Sequence, residues 1–492
     1  MGERRRWKAR FSTGAVAICL ALLLVSTVPA GSVLPTPIGE DTYTNPDSQH
    51  RTQVEPDSFA HGNSVVTAFQ TGRVFDGGAS NIAWATTTNA GRTWATGNLP
   101  GTTGHEGGPW ARISDPSVAY DPEHDVWMIS TLAFGAAAAP FGAPSAILTS
   151  RSTDGGLTWQ APVTVSLGPS SFYDKNWIAC DTWPSSPYYG NCYTEWDDTG
   201  LGNRVLMSTS TDGGLTWSPA ISPGGLPSGL GGVPVVQPNG TVVVPYTANF
   251  GGIRVFRSEN GGQSWTSSTP VSTQTAHSVA GGLRDPSLPS AEVDGSGKVY
   301  VVWHDCRFRS GCTANDIVMS TTTDGFTWTP VVRIPIDPVN SSVDHFIPGI
   351  GVDPSTSGGT ARLALGYYYY PVSGCSVSTC ELTAGFVSSL DGGSTWTPPT
   401  QVSGSMNLSW IAETSQGRMV ADYISTSFAG GYAFPVFVIA KPPTGTVFSE
   451  RAAAARFDVT AQPPGSRIRT RRDRVVYRAH NRPQDDGAPT AN

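Results

Sequence analysis

Short runs of apolar and β-branched residues alternate with turn residues along most of the chain. Such runs are bounded by Gly, Pro, Asn and Asp, which is typical of β-strands that end in tight turns. The pattern therefore predicts an all-β protein. Representative runs are Val65-Val66-Thr67-Ala68, Val126-Trp127-Met128-Ile129, Val242-Val243-Val244, Val299-Tyr300-Val301-Val302 and Leu363-Ala364-Leu365.

One octet recurs between these strands. Ser152-Thr153-Asp154-Gly155-Gly156-Leu157-Thr158-Trp159 returns almost unchanged at 210–217, and weaker copies end at Trp94, Trp265, Trp328 and Trp396. The six copies are spaced by about 60 residues, which marks a repeated supersecondary unit. The octet predicts a hairpin turn, because Asp or Asn accepts backbone N–H bonds there and Gly supplies positive φ. Six equivalent turns cannot share one active site, so we interpret these aspartates as structural.

The octet resembles the Asp box, S/T-x-D-x-G-x-T-W, of the sialidase (neuraminidase) superfamily, over roughly residues 53–445. The resemblance implies a β-propeller and an exo-acting glycoside hydrolase that removes terminal acidic sugars such as sialic acid. A glycan or glycoconjugate would then be the substrate. Asp boxes also occur in propellers with other chemistries or none, so a non-catalytic propeller that binds glycans or proteins outside the cell is the alternative.

Each repeat contains four short strands, as a propeller blade does. The first strand often follows an acid–proline pair, as at Glu55-Pro56 and Asp115-Pro116, and the third strand leads into the octet. After the sixth octet, three more strands are predicted at 410–412, 419–421 and 434–439. The lead-in segment 31–52, near Tyr43, would supply a fourth strand and close the ring. We therefore predict six or seven blades, with seven favoured by the strand count.

The two ends of the chain have their own signatures. Five basic residues precede an apolar stretch at 15–25 and a small-residue site at Val28-Pro29-Ala30, which predicts a signal peptide over residues 1–30 and secretion. The alternative is an uncleaved membrane anchor. Residues 446–492 carry six arginines between 467 and 478 and predict a disordered tail. This tail would bind anionic polymers or lipids weakly or would only be solvated.

Composition narrows the function further. The 492 residues carry a net charge of −7, and only 14% of them are charged. Apart from the tail, no basic surface indicates nucleic-acid binding, and we expect a monomer. No phosphate loop, zinc helix or G-x-S-x-G sequence is present, so we expect neither a cofactor nor a metal.

Six cysteines follow the predicted signal peptide as three couples that are close in sequence. Secretion places them in an oxidising compartment, where local pairing within three loops is the simplest of the 15 formal connectivities. Zinc binding is the alternative, but no C-x-x-C sequence supports it. The predicted disulfides are Cys180–Cys192, Cys306–Cys312 and Cys375–Cys380.

Polar residues at the ends of predicted second strands are the first candidates for a site. Asp305 and Arg307 end one such strand, and Glu195 ends another. Each has a structural alternative: an Asp–Arg pair can fix a loop, and Glu195 can be a buried structural acid. Tyr367 and Tyr368 belong to a run of four tyrosines in the second strand of the sixth repeat, where aromatic packing is the alternative.

Sialidases hold the sugar carboxylate with three arginines and use a Tyr nucleophile, an assisting Glu and an Asp acid/base. The resemblance implies Asp115 as the acid/base. Glu195 or Glu413 would assist, and Tyr367 or Tyr368 would be the nucleophile. The F/Y-R-I-P motif of the family is absent, and its nearest counterparts are Arg112 and Arg284. These two arginines, with Asp305 and Arg307, are the predicted substrate-binding residues. A carboxylate pair such as Glu195 and Asp305, acting on another polysaccharide, is a third interpretation.

Overall fold

The computed structural model describes residues 34–135, 144–460 and 468–469. These residues form β-strands and short 3-10 turns, so the prediction of an all-β protein is confirmed. No helix within the described ranges is long and apolar enough to cross a membrane. The predicted signal peptide and all but two residues of the arginine-rich run lie outside the described residues. The 3-10 turns span Gly104–Glu106, Thr199–Leu201, Ala280–Gly282, Ser310–Cys312, Gly358–Thr360 and Leu408–Trp410.

The strands are antiparallel, and apart from the first strand β1 (Thr36–Pro37), which pairs with a strand near the C-terminus, they follow one another in chain order. Sheet I contains β2 (Gln53–His61), β3 (Ser64–Arg73), β4 (Ala79–Thr87) and β5 (Ala95–Asn98). Sheet II contains β6 (Arg112–Asp121), β7 (Val126–Phe134), β8 (Ser145–Ser152) and β9 (Val163–Gly168), and one residue pair, Ala79 with Ile113, links it to sheet I. Sheet III contains β10 (Tyr173–Cys180), β11 (Cys192–Asp198) and β12 (Arg204–Ser210). Sheet IV contains β13 (Gly229–Leu230), β14 (Val235–Val236), β15 (Val242–Ala248), β16 (Ile253–Ser258) and β17 (Thr269–Ser272).

The second half of the chain repeats this order. Sheet V contains β18 (Ser290–Val293), β19 (Val299–Asp305), β20 (Asp316–Thr322) and β21 (Val332–Arg333). Sheet VI contains β22 (Asp344–Val352), β23 (Leu363–Tyr370) and β24 (Glu381–Ser389), with β25 (Thr395–Trp396), β26 (Thr400–Gln401) and β27 (Met406–Asn407) following along the chain. A hairpin of β28 (Glu413–Thr414) and β29 (Gly417–Arg418) precedes sheet VII, which contains β30 (Ser425–Ala429), β31 (Tyr432–Ala440), β32 (Glu450–Ala454) and β33 (Phe457–Asp458). The last strand, β34 (Ile468–Arg469), pairs with β25.

Sheet VII takes strands from both ends of the chain, because β1 pairs with β32. The lead-in 31–52 supplies a strand to this sheet as predicted, but the strand is Thr36–Pro37 rather than a segment near Tyr43. The strands predicted at 410–412 and 419–421 are also wrong, because this stretch forms a 3-10 turn and the small β28–β29 hairpin. The C-terminal boundary predicted at 446 is too early, since β32 lies within sheet VII.

The first strands of successive sheets lie side by side. β2 contacts β6, β6 contacts β10, and the series continues through β14, β18, β22 and β30, which contacts β2 again. Side chains join these strands to the backbone of the next sheet. Asp57 Oδ2 accepts the N–H of Val118 at 2.7 Å, and Ser117 Oγ accepts the N–H of Ile178 at 3.0 Å. The ends of the first strands therefore meet around one central space.

The octet at 152–159 forms the hairpin that its sequence predicts. Asp154 Oδ1 accepts the N–H groups of Leu157 and Thr158 at 3.1 and 2.9 Å, and Ser152 donates to the same oxygen at 2.8 Å. Slight burial opposes ionisation of Asp154, but these hydrogen bonds prevail and lower its pKa to about 2. The turn also binds the preceding sheet, because Thr86 Oγ1 donates to the carbonyl of Gly156 at 2.6 Å. The octet therefore joins neighbouring sheets.

The two glycines of this hairpin allow a matched test of that contact. Gly155 and Gly156 both have φ near +80°, so alanine costs about 1–2 kcal/mol at either position. A Cβ on Gly156 would lie 2.6 Å from Val66 Cγ2, whereas a Cβ on Gly155 meets nothing within 4 Å. We expect Gly156→Ala to lower the free energy of unfolding by about 1–3 kcal/mol more than Gly155→Ala, measured by urea denaturation. Equal losses would show that the hairpin does not pack against sheet I.

The three predicted local disulfides are confirmed. Cys180 bonds to Cys192, Cys306 to Cys312, and Cys375 to Cys380. Cys180 and Cys192 join the neighbouring strands β10 and β11, while the other two bonds close loops at the ends of second strands.

Candidate active site

Several first strands contain a β-bulge near their start. Glu55, Asp115, Lys175 and Ile347 sit at these bulges with φ of 54°, 49°, 41° and 48°. Positive φ is uncommon for residues other than glycine and is a clear outlier for β-branched isoleucine. A bulge breaks the ladder and redirects a side chain. At Glu55 and Asp115, the redirected side chains line a common cavity.

This cavity, termed the first cavity, has a volume of about 270 Å³ and lies where the first strands begin. Sheets I, II and III, the segment before sheet V and the β28–β29 hairpin all contribute to its wall. It combines three guanidinium groups with four carboxyl groups. These residues are Arg73, Arg112, Arg284, Glu55, Asp76, Asp115 and Asp174.

Two of the arginines are fixed by ion pairs near the opening. Arg112 Nη1 lies 2.5 Å from Asp76 Oδ1, and Arg284 donates from Nη2 to Asp422 Oδ2. Arg73 lies deeper and donates to the carbonyl of Val74, while its Nε has no partner among the described residues. A guanidinium carries five N–H donors, so each arginine keeps donors for a ligand.

Burial shifts the protonation of the acids. It raises the pKa of Glu55 well above its ordinary value, and the charge of Asp115 adds to the shift. Burial also raises the pKa of Asp115, although the nearby Lys175 opposes this change. The pKa of Asp174 rises to about 7 through burial and the charge of Asp115. The first cavity therefore places carboxyl groups with raised pKa beside guanidinium groups.

Arg73 remains a cation in this environment, since burial lowers its pKa only to about 10. Two of the three guanidinium groups form ion pairs with Asp76 and Asp422, and all three lie near acids whose pKa burial raises. The combination favours an anionic ligand that also needs a proton donor nearby.

Lys175, Trp177 and Tyr423 form a cation–aromatic cluster that begins directly after Asp174, a residue of the first cavity wall. Lys175 Nζ lies 3.6 Å from the ring centroid of Tyr423 and 4.3 Å from that of Trp177. The Tyr423 hydroxyl donates to the carbonyl of Pro116 at 3.1 Å, which ties the segment before sheet VII to sheet II. Burial and the charge of Glu55 raise the pKa of Tyr423 well above its ordinary value.

The structure brings three of the predicted site residues together. Arg112, Asp115 and Arg284 all line the first cavity. Each lies at or just ahead of the start of a first strand, where the acid–proline pairs occur. The acid–proline pairs at the starts of first strands therefore indicate, in the sequence, where residues of the first cavity lie.

The predicted tyrosines lie elsewhere. Tyr367 is only 1% exposed and packs between sheets V and VI, and Tyr368 is buried between sheets VI and VII. The Tyr368 hydroxyl donates to the carbonyl of Val438 at 2.9 Å. Neither hydroxyl reaches the first cavity, because the two faces of β23 pack against the neighbouring sheets. Aromatic packing, the alternative interpretation, describes both residues.

The predicted polar residues of the second strands are also distant from the first cavity. Arg307 contacts both carboxylate oxygens of Asp305, at 2.9 and 2.7 Å, and also binds Ser272 and Thr273, so the pair fixes two loops. Glu195 is fully buried against the backbone of Gly232. None of these three predicted residues lines the cavity wall.

Sequence reasoning missed Glu55, Arg73 and Asp174 as site residues. The sequence marks Glu55 only as a strand start, although Glu55-Pro56 has the same pattern as Asp115-Pro116. That shared pattern was the available signal for Glu55. Arg73 ends a second strand, and no local feature distinguishes it.

One further cluster has the donor types of a metal site. Oxygen or nitrogen atoms of Asp316, Asp337 and His345 lie within 4.8 Å of one another. Arg309 and Arg333 each contact both aspartates, so two positive charges already balance the two negative ones. The cluster therefore has a structural explanation as an ion-pair network.

The buried acids predict how stability depends on pH. Burial raises the pKa of Glu195, Glu292 and Glu450 to about 8 and that of Asp57 to about 7. A raised folded-state pKa means that the folded chain holds more protons than the unfolded chain between about pH 4 and 8. We expect the free energy of unfolding to fall by about 2 kcal/mol or more from pH 5 to pH 8.5, measured by urea denaturation. A stability that rises over this range would contradict the burial of neutral acids.

No family model and no curated protein matches the chain. Among solved structures, it is similar to the Hadza microbial sialidase Hz136, with 14% identity, 83% of this chain and 68% of that chain covered, and a TM-score of 0.44. The intramolecular trans-sialidase from Ruminococcus gnavus has 13% identity, 87% and 99% coverage, and a TM-score of 0.44. The Penicillium chrysogenum alpha-L-arabinanase has 12% identity, 87% and 98% coverage, and a TM-score of 0.43. The predicted resemblance to the sialidases is confirmed at this level of similarity.

Proposed function

We propose that the protein is a glycoside hydrolase whose first cavity binds a sugar with an anionic group. The observation that carries this proposal is the meeting of Arg73, Arg112 and Arg284 with Glu55 and Asp115 in one cavity. Guanidinium groups bind carboxylates through parallel charge-assisted hydrogen bonds. A protonated carboxyl beside a second acid is the usual equipment for cleaving a glycosidic bond.

In the proposed reaction, the arginines hold the anionic group and so orient the sugar. Glu55 donates its proton to the glycosidic oxygen as the bond from that oxygen to the anomeric carbon breaks. Asp115, beside Lys175, stabilises the positive charge that develops on the sugar and then takes a proton from the incoming water. The water oxygen bonds to the anomeric carbon, and the net reaction consumes one water molecule.

The preferred substrate class is a terminal acidic sugar such as sialic acid. The volume of about 270 Å³ suits a single terminal sugar, and we propose exo-acting cleavage on that basis. The charge of Glu55 contributes to the raised pKa of Tyr423, so this tyrosine lies near the proposed acid. Its hydroxyl, however, donates to the carbonyl of Pro116. We therefore assign the chemistry to the two carboxyls.

A fluorogenic glycoside panel on the purified protein tests this proposal. The panel contains a sialoside, a glucuronide, a galactoside and an arabinofuranoside, each with the same leaving group. We expect turnover of acidic glycosides and little turnover of neutral ones. If no glycoside is cleaved and circular dichroism indicates an intact β-fold, the non-catalytic glycan- or protein-binding function replaces the enzymatic one.

We further propose that sheets I–VII are the seven blades of a closed propeller and that the chain is exported. The contact between β30 and β2 and the pairing of β1 with β32 support closure of the ring of sheets. The three disulfides support an oxidising compartment. In this proposal the signal peptide over 1–30 is removed, the protein is a secreted monomer, and the basic residues after 466 supply weak contacts to anionic surfaces. Mass spectrometry of the secreted N-terminus tests the cleavage site.

A further inference from the structure

A second cavity, termed the axial cavity, is lined by Trp177 and by the far ends of the first strands. Its volume is about 330 Å³. The first strands of all seven sheets, or residues next to them, line it. Strand β2 runs from Glu55 in the first cavity to His61 in the axial cavity, so the two cavities lie at opposite ends of the first strands.

The wall of the axial cavity is mostly apolar but carries two acids. Phe59, Trp177 and Ile350 belong to the apolar part, whereas Asp57 and Glu292 supply carboxyl groups. No lysine or arginine is among the described residues that line it. Any ionised carboxyl there has no cation partner inside the cavity, which makes burial of its charge costly.

Glu292 departs from the pattern of the neighbouring first strands. Asp57, Ser117 and Ser290 each accept an N–H of the next sheet, and the residue two positions later faces the same side of the strand. That residue is Phe59 in sheet I and Ala119 in sheet II, but it is Glu292 in sheet V. A glutamate packs against the apolar wall no better than Phe or Ala would, so packing does not explain the acid at this position.

Electrostatics agree with this geometry. Burial raises the pKa of Glu292 to about 8, and the charge of Asp57 adds to the shift. The pKa of Asp57 rises to about 7 through burial, although a hydrogen bond from Val118 and the charge of Lys175 oppose the change. Lys175 lies over the ring of Trp177 but does not line the axial cavity, and His61 is the remaining titratable residue of the described axial wall. A cation that entered the axial cavity would stabilise both carboxylates.

We propose that the axial cavity binds an organic cation with an apolar body, such as an arylalkylammonium ion. Its charged end lies near Asp57 and Glu292, and its apolar body packs against Trp177 and Phe59. Aromatic faces attract such cations in addition to the carboxylates. The volume falls within the range of small-molecule sites.

Isothermal titration calorimetry on the full-length protein at pH 8.5 tests the proposal with two probes of similar size. Benzyltrimethylammonium carries a charge, and benzyl alcohol does not. We expect benzyltrimethylammonium to bind at least about tenfold more tightly than benzyl alcohol, because only its positive charge is attracted by the two carboxylates and the aromatic faces. Cation affinity rises from pH 6 to pH 9 as Asp57 and Glu292 ionise.

Two variants locate the binding. Glu292→Gln keeps the shape of the side chain and is expected to lower the affinity for the cation about tenfold while leaving benzyl alcohol unchanged. Glu381→Gln, an exposed glutamate on sheet VI, is the matched control and changes neither. Thermal melting checks that both variants fold.

Equal affinities for the two probes, a flat pH profile, or an unchanged affinity in folded Glu292→Gln would each overturn the proposal. The probe comparison on the wild-type chain decides it even when the variant does not fold. Glycoside hydrolysis is not a readout here, so the result is independent of the function proposed for the first cavity.

Discussion

Glu55→Gln is expected to lower kcat on an acidic glycoside by about 10²–10⁴-fold, because the amide cannot donate the proton that the leaving oxygen needs. Glu55 is 1% exposed, and Gln70 donates a hydrogen bond to its carboxyl group. The isosteric amide keeps the volume of the side chain, so folding is preserved. The measurement is the steady-state rate across pH, together with the thermal melting temperature.

Glu195→Gln is the matched control for this variant. Glu195 is as deeply buried as Glu55 and also has a raised pKa, but it lies outside the first cavity. We expect kcat to change by less than about twofold, since no group of Glu195 touches the substrate. If Glu195→Gln lost as much activity as Glu55→Gln, the site predicted from the sequence would be favoured over the first cavity.

The contrast between these two glutamates shows what sequence can reveal about the site. Glu195 is conspicuous because a charged residue interrupts an apolar second strand. Glu55 is inconspicuous because an acid before proline also fits an ordinary strand start. Its role depends on the bulge at positive φ and on the meeting of first strands from distant repeats, and neither is a local property of the sequence.

The fold was more accessible than the site, because its signals are local. The Asp-box hairpin at 152–159 needs only Asp154, its hydroxyl partners and two glycines, all within eight residues. The disulfides likewise join cysteines 12, 6 and 5 residues apart. Sheet VII was predicted poorly because it lacks an Asp box and draws β1 from the other end of the chain.

Tyr367 and Tyr368 illustrate a further limit. Alternation along β23 establishes that they face opposite sides, but it does not reveal what each side meets. Both sides of this strand are covered by neighbouring sheets, so both tyrosines are core residues. The prediction that second strands supply the residues of a central site was wrong, because the first strands, and not the second strands, surround the central space.

Arg284→Met is expected to lower kcat/KM for an acidic glycoside by about 10- to 100-fold, because a charge-assisted hydrogen bond to the sugar carboxylate is lost. A neutral glycoside that the enzyme accepts weakly is expected to lose little, since it never used this interaction. Arg284 also pairs with Asp422, whose side chain is only 6% exposed. The single substitution therefore leaves an uncompensated buried acid, which destabilises the site by itself.

The double variant Arg284→Met with Asp422→Asn separates these two effects. It removes the orphaned charge, so the thermal stability lost in the single variant is expected to return in large part. Activity on the acidic glycoside is expected to stay low, because no guanidinium replaces Arg284 at the opening of the first cavity. Recovery of both stability and activity would mean that Arg284 serves only to neutralise Asp422, and recognition of the anionic sugar would then rest on Arg73 and Arg112.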